Sequence, residues 1–261
     1  TTNHLRGVAY GSGYFMAVGE SRTILTSSDG ITWTQVEYPQ QYAANLTTNT
    51  LTGVAYGNGW FVISGYSGEI FRSNDGDSWA WCNCYTNNLL GVNYANGKFY
   101  IFDPSGTIWL WWDDWPQSTL NPEDSNYSRG IAYGNETFVL AGSSGNIRTS
   151  SDGSDWTSRT SGTSEVLYAI TYGKSTFVTV GGSGTIITSS DGITWTSWSF
   201  WDVRTSGTSN LLSKVTYGNG TFVAVGYSGT ILTSSDGISW TSRTSGTSNH
   251  LYGVTYSNNT F

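Results

Sequence analysis

Five times along this chain a seryl turn reads Ser-x-Asp-Gly and is followed, after two intervening residues, by Trp. The copies are Ser27-Ser28-Asp29-Gly30 with Trp33, Ser73-Asn74-Asp75-Gly76 with Trp79, Ser150-Ser151-Asp152-Gly153 with Trp156, Ser189-Ser190-Asp191-Gly192 with Trp195, and Ser234-Ser235-Asp236-Gly237 with Trp240. A second phrase, most often Gly-Val-Ala-Tyr or Gly-Val-Thr-Tyr, keeps step with the first. Its tyrosines are Tyr10, Tyr56, Tyr94, Tyr133, Tyr172, Tyr217 and Tyr256, spaced by 46, 38, 39, 39, 45 and 39 residues. The aspartates Asp29, Asp75, Asp113, Asp152, Asp191 and Asp236 are spaced by 46, 38, 39, 39 and 45. Two independent markers therefore define one 39-residue unit, with insertions at Gln35 to Asn49 and at Trp198 to Val203. A fixed period of this size means that one small unit is stacked many times, which constrains the fold more than any single residue does.

Within a unit the residues describe strands. Asn219-Gly220 separates Val215-Thr216-Tyr217 from Phe222-Val223-Ala224-Val225. Asn-Gly between two β-rich runs signals a hairpin, because both turn positions tolerate positive φ. Ser228-Gly229 marks a second turn, Thr230 to Thr233 a third strand, and the Ser-Asp-Gly turn leads into Trp240-Thr241. That makes four short antiparallel strands per unit, and no segment shows a 3.6-residue period of helical length. The strands are apolar on both faces: Phe222 and Ala224 point one way, Val223 and Val225 the other. Both faces must be covered, as when four-stranded sheets stack around a ring. The first strand uses small residues (Gly7, Val8, Ala9; Gly53, Val54, Ala55), as crowding near an axis requires. The expected fold is all-β, a β-propeller of six or seven blades. One domain over 1–261 is expected, with repeats at about 4–50, 51–88, 89–127, 128–166, 167–210 and 211–249 and a partial unit at 250–261. Phe261 aligns with Phe222 in mid-hairpin, no Met begins the chain, and Thr1 to His4 matches Thr247 to His250, so a segment of a longer chain is expected.

The recurring turn resembles the Asp-box of sialidases, photosystem-assembly propellers and many bacterial repeat proteins. That motif commonly reads Ser-x-Asp-x-Gly-x-Thr-Trp, whereas this chain joins Asp directly to Gly, as in Ser27-Ser28-Asp29-Gly30-Ile31-Thr32-Trp33. The resemblance spans nearly the whole chain and implies the propeller fold; the box occurs in enzymes, lectins and assembly factors alike, so it implies no one function. Physically the box is a clip: Asp and Ser accept turn amides, Gly supplies an unusual φ, and Trp fills the space between neighbouring sheets. Asp29, Trp33, Asp75, Trp79, Asp152, Trp156, Asp191, Trp195, Asp236 and Trp240 are accordingly read as structural.

Charge narrows the partners. With 18 acidic and 11 basic residues the net charge is −7, and no basic stripe suits a nucleic acid. No run of about 18 apolar residues suits a membrane span. The basic residues include only Lys98, Lys174 and Lys214 as lysines, and Ser, Thr, Gly, Asn and aromatics abound, a profile that suits an extracellular or cell-surface protein. Cys82 and Cys84 lie two apart, near the upper limit of disulfide reach on one strand face. A strained bridge, a bond to another chain and free thiols all remain open. No metal-ligand pattern surrounds them, and no cofactor is expected.

Catalytic signatures are weak. His4 and His250 occupy equivalent repeat positions, which points to inheritance by duplication, and no Ser-His-Asp spacing stands out. The sialidase Phe/Tyr-Arg-Ile/Leu-Pro motif is missing: Arg6, Arg72 and Arg148 sit in other contexts, and Arg159 and Arg243 lie in repeated Ser-Arg-Thr linkers. Nothing marks the carboxylate pair that glycoside cleavage needs. The informative departure is the third unit, where Trp109-Leu110-Trp111-Trp112-Asp113-Asp114-Trp115-Pro116 replaces the polar turn. The fifth unit adds Trp198, Phe200 and Trp201, and the second adds Trp81 and Tyr85. Trp109, Trp111, Trp112, Asp113, Asp114, Trp115, Trp198 and Trp201 are the candidate contact surface. Its expected occupant is a protein partner or a further copy of the chain, with a glycan as the alternative and mutual packing of the rings as the plainer explanation. The expected function is a non-enzymatic scaffold for adhesion or surface assembly, ahead of a lectin and a degenerate glycosidase.

Overall fold

The computed structural model describes residues 1–36, 49–83, 87–105, 107–111, 118–120, 128–196 and 206–261. These form two compact units, Thr1–Leu120 and Asn121–Phe261, each holding three antiparallel blades. In the first unit, blade 1 is β1 (Leu5–Gly11), β2 (Tyr14–Gly19), β3 (Ile24–Ser27) and β4 (Thr34–Gln35). Blade 2 is β5 (Leu51–Gly57), β6 (Trp60–Gly65), β7 (Glu69–Ser73) and β8 (Ala80–Asn83). Blade 3 is β9 (Gly91–Ala95), β10 (Lys98–Phe102), β11 (Ile108–Trp111) and β12 (Ser118–Leu120).

In the second unit, blade 4 is β13 (Ser128–Gly134), β14 (Thr137–Gly142), β15 (Ile147–Ser150) and β16 (Thr157–Arg159). Blade 5 shows β17 (Leu167–Gly173), β18 (Thr176–Gly181) and β19 (Ile186–Ser189). Beyond β19 the Thr196 amide donates to the Thr188 carbonyl at 3.0 Å. Blade 6 is β20 (Leu212–Gly218), β21 (Thr221–Gly226), β22 (Ile231–Ser234) and β23 (Thr241–Arg243). The fold class is thus the all-β propeller expected from the period, with six blades.

Each blade is wound the same way because the same residues recur at the same register. Tyr217 pairs with Phe222 across the first hairpin, and their rings lie 4.6 Å apart. Five other blades repeat the pair at 4.5–4.9 Å, from Tyr10–Phe15 to Tyr172–Phe177. The intervening turn uses Asn219 at φ 42° and Gly220 at φ 73°. Asn and Gly are the residues that reach this left-handed region most readily.

The tyrosine also joins blade to blade. A methyl group placed on Gly11 would overlap the ring of Tyr56, and one on Gly57 the ring of Tyr94. In the second unit Gly134, Gly173 and Gly218 lie likewise beneath Tyr172, Tyr217 and Tyr256. Each of these five tyrosines therefore sits on a bare α-carbon of the strand before it. The first strands come equally close at their other end: a Cβ on Gly7 would stand 3.1 Å from the Gly53 α-carbon, and one on Gly53 3.2 Å from the Val92 nitrogen. The small residues of the first strand are required by backbone-to-backbone approach.

Apolar cores fill the space between consecutive blades. Met16, Val18 and Ile24 of blade 1 meet Leu51, Phe61, Ile63 and Phe71 of blade 2. Val139, Ala141 and Ile147 of blade 4 meet Leu167, Ile170 and Phe177 of blade 5. A fully buried side chain such as Phe177 contributes about 1.5–3 kcal/mol by leaving water. One junction adds charge: Glu69, 1 % exposed, pairs with Arg22 of blade 1 and accepts from Asn49 Nδ2 at 3.0 Å. Arg22 stands where blade 6 carries Gly229 and takes φ 54° to reach its partner.

The tyrosine-on-glycine contact is directly testable. Gly173→Ala forces a methyl into the Tyr217 ring and is expected to destabilise the protein by about 1–3 kcal/mol. Gly91→Ala, whose added Cβ meets nothing within 4 Å among the described residues, is expected to stay within about 0.5 kcal/mol of the parent. Denaturant midpoints measure both; equal midpoints for the two variants would remove the contact from its structural role.

Candidate functional site

The five Ser-x-Asp-Gly turns share one hydrogen-bond scheme. Asp29 Oδ1 accepts the amides of Ile31 (2.8 Å) and Thr32 (2.7 Å) and the Ser27 hydroxyl (2.9 Å). Ser27 Oγ accepts the Gly30 amide at 2.9 Å. Asp75, Asp152, Asp191 and Asp236 each accept two amides and one seryl hydroxyl in the same way, at 2.7–3.0 Å. Four donors at each turn, counting the glycine amide, are thus satisfied by two side chains. The clip glycine of one blade rests on the blade before it: a Cβ on Gly192 would meet Val139 at 2.8 Å, and one on Gly237 would meet Val178 at 2.8 Å.

These bonds hold the carboxylates in their charged form. The amides of Thr32 and Ile31 bring the Asp29 pKa down to about 2, and those of Ser154 and Asp155 do the same for Asp152. At Asp191 burial works in the opposite direction, and the amides of Thr194 and Ile193 with the Ser189 hydroxyl outweigh it, leaving about 2. Asp75 and Asp236 are lowered as well, chiefly by the amides of Ser78 and Ser239.

The box tryptophans differ more. Trp79 and Trp195 are buried in the cores between blades 1 and 2 and between blades 4 and 5, and Trp240 packs at the edge of the core between blades 5 and 6. Their Nε1–H groups donate to the carbonyls of Gly76, Gly192 and Gly237 at 3.1, 2.8 and 3.1 Å. Trp33 makes the same bond to Gly30 at 3.2 Å and is 36 % exposed. Trp156 is partly buried, its Nε1 has no hydrogen-bond partner among the described residues, and its ring meets Phe138 edge-on at 6.4 Å.

Of the aromatic candidates, Trp109 is described. It lies on β11, partly buried, against the core of Val62, Ile70, Leu89, Val92 and Ile101 between blades 2 and 3. Trp111 ends β11 opposite Phe99. Its side chain, and Trp112, Asp113, Asp114, Trp115, Trp198 and Trp201, lie outside the described residues, as does Cys84. Cys82 is disulfide-bonded.

Blade 3 carries an aspartate clip that lies outside the repeated motif. Asp103, 2 % exposed, takes the place of the glycine that ends the second strand elsewhere, such as Gly226. Its Oδ1 accepts the Ser105 amide (2.8 Å), the Ser105 hydroxyl (2.6 Å) and the Thr107 amide (3.1 Å). The signal was an acid in a column of glycines, not a motif.

The remaining polar side chains are free of this scaffold role. The second residue of the first strand falls at a register shift in five blades and carries Arg6, Thr52, Arg129, Tyr168 and Ser213. A bulge re-aims its side chain, and here Arg129 stacks over the Tyr168 ring at 5.1 Å. Lys214 is partly exposed on β20, where the other blades carry Gly or Ala, and desolvation lowers its pKa. At the turn after β21, His250 stacks on Tyr227 with centroids 3.9 Å apart.

No family model matches the chain, and no curated protein matches it. Solved structures do. The chain is similar to YCF48 bound to a D1 peptide, at 17% identity and TM-score 0.69, over 93% of this chain and 82% of that one. It is similar to YCF48 from Cyanidioschyzon merolae at 16% identity and TM-score 0.66, over 93% and 85%. It is also similar to the WD40 β-propeller domain of Doa1 at 14% identity and TM-score 0.74, over 99% and 88%. At these identities the likeness shows the propeller fold.

The clip pKa values set an acid limit. The unfolded carboxylates titrate near pH 3.9. With the folded values lowered to about 2 at Asp29, Asp152 and Asp191, their stabilisation is complete above about pH 4 and is lost as pH falls toward about 2. Melting temperature is expected to drop across that window. Asp152→Ala should lower the melting temperature at pH 7 and flatten the acid limb. A melting temperature level between pH 5 and pH 2 would show that the clips do not stabilise the fold.

Proposed function

We propose that this protein is a non-enzymatic interaction scaffold that works outside the cell or at its surface, in adhesion or in the assembly of a surface structure, filament or virion. One observation carries the reading. The recurring carboxylates, which are the most abundant chemistry of the repeat, are held by two amides and a hydroxyl apiece and so belong to the turns. What varies from blade to blade is aromatic and cationic, the residue types enriched where proteins meet. A fold neighbour bound to a peptide supports a peptide or protein as the occupant. The aromatic departure of the third unit, Trp109, Trp111, Trp112 and Trp115 with Asp113 and Asp114, is the proposed contact surface, and Trp198 and Trp201 are proposed separately as contact residues of the fifth unit.

The test replaces Trp111, Trp112 and Trp115 together with Ser. Binding to a displayed peptide library is expected to fall at least tenfold, with far-UV spectra and melting close to the parent. Binding that survives the triple change, or a variant that unfolds, would assign these rings to packing. Saturable inhibition by free monosaccharides would move the reading to a lectin.

A further inference from the structure

Blade 6 carries a second cluster of polar and aromatic side chains, in which His250 takes the amide-accepting position that Asn88 fills in blade 2. Tyr227 and His250 stack with their planes 13° apart, and Tyr252 stands edge-on to both, at 6.0 and 6.1 Å. The Ser228 amide donates to His250 Nδ1 at 3.1 Å, so in the neutral imidazole the ring proton sits on Nε2. Ser228 also lines a cavity of about 440 Å³ shared with Asn210, Thr230, Arg243 and Thr247. Arg243 Nε donates to Thr233 Oγ1 at 2.9 Å, which orients the guanidinium. Among the described residues its terminal nitrogens have no partner and no carboxylate lines the cavity. An oriented guanidinium with unused parallel donors matches a carboxylate in shape and charge.

Blade 4 supplies the internal comparison. Arg159 makes the same bond to Thr149, at 2.9 Å, yet Ser143 stands where blade 6 has Tyr227, and the following linker carries Glu165 where blade 6 has Asn249. The blade fold is thus satisfied without the stack and with an acid nearby. Blade 6 differs by removing the acid and adding the rings.

We propose that this face of blade 6 binds a carboxylate presented by a protein partner, with Arg243 as its main donor and the Tyr227–His250–Tyr252 stack, joined to the cavity through Ser228, holding the flanking residue. The proposal rests on the scaffold reading and names the chemistry of one partner. The probe is a fluorescein-labelled hexaglutamate with blocked termini; hexaglutamine with a free C-terminus separates a chain-terminal carboxylate from an acidic side chain. Saturable binding of either is expected, weakened at least tenfold by R243Q and unchanged by R159Q. Since His4 and His250 are the only histidines, proton NMR gives a direct reading: the peptide shifts the His250 ring signals and leaves His4 in place. H250Q breaks the stack independently and should also weaken binding. The proposal is overturned if R243Q, melting like the parent, binds as the parent does, if R159Q loses as much, or if the His250 signals do not move. Loss of library binding in the Trp triple variant alongside unchanged R243Q would retire the blade 6 site and leave the scaffold reading standing.

Discussion

A tyrosine ring lying on a bare α-carbon is the contact on which the rest of this architecture depends. Five of the first strands present a glycine to the tyrosine of the unit that follows, and tyrosines such as Tyr172 and Tyr217 also pack on the phenylalanine of their own hairpin. The ring is therefore clamped between two sheets, and its position sets their spacing. Everything lateral follows from that spacing. First strands approach to the point where only Gly or Ala fits, second and third strands diverge enough to hold Phe, Leu and Ile, and the clip tryptophans close the widening gap near the outer turns. A wedge with a small inner edge and a large outer core is what lets one sequence unit be laid against copies of itself.

The clips act at the wide end. A turn whose amides point into one carboxylate oxygen is rigid, because moving the aspartate breaks three bonds at once. That rigidity is transmitted: the clip glycine sits against the second strand of the preceding blade, so ordering the turn also orders the joint. Blade 3 shows that the demand is for a carboxylate at a turn and not for one particular turn, since Asp103 gathers the same donor set at the opposite end of the sheet.

How much of this was legible in the sequence divides along local and non-local lines. The period, the strand count, the Asn-Gly hairpins and the Asp-Gly clips all arise from interactions within a few residues, and repetition made each visible several times. The Tyr-Gly seating was half visible: Tyr217-Gly218 reads as one phrase, but its two residues serve opposite neighbours, which spacing alone does not disclose. Arg22–Glu69 joins positions that each break their own column, a left-handed Arg in place of Gly and an acid in place of Thr, and only the fold brings the two together. In the sequence, the match of His4 to His250 points to duplication. The structure adds what the match conceals, that the ring partner of His250, Tyr227, lies one turn away on the same blade.

A repeat protein separates scaffold from function by column, and the electrostatics of blade 6 show how far that separation reaches. The chain carries a net charge of −7, which over long distances disfavours acidic partners. At physiological ionic strength that field is screened beyond about 8 Å, so recognition is decided by the charges within one recess. A guanidinium in a cavity without carboxylates then presents a sign opposite to that of the whole molecule. Such an inversion costs the fold little, because Arg243 sits on an outer strand where Thr241 and Ser242 are also exposed and the clip does not reach. Selection for binding can act on that position without disturbing the tyrosine seat or the aspartate clip, the two contacts that recur along the repeat.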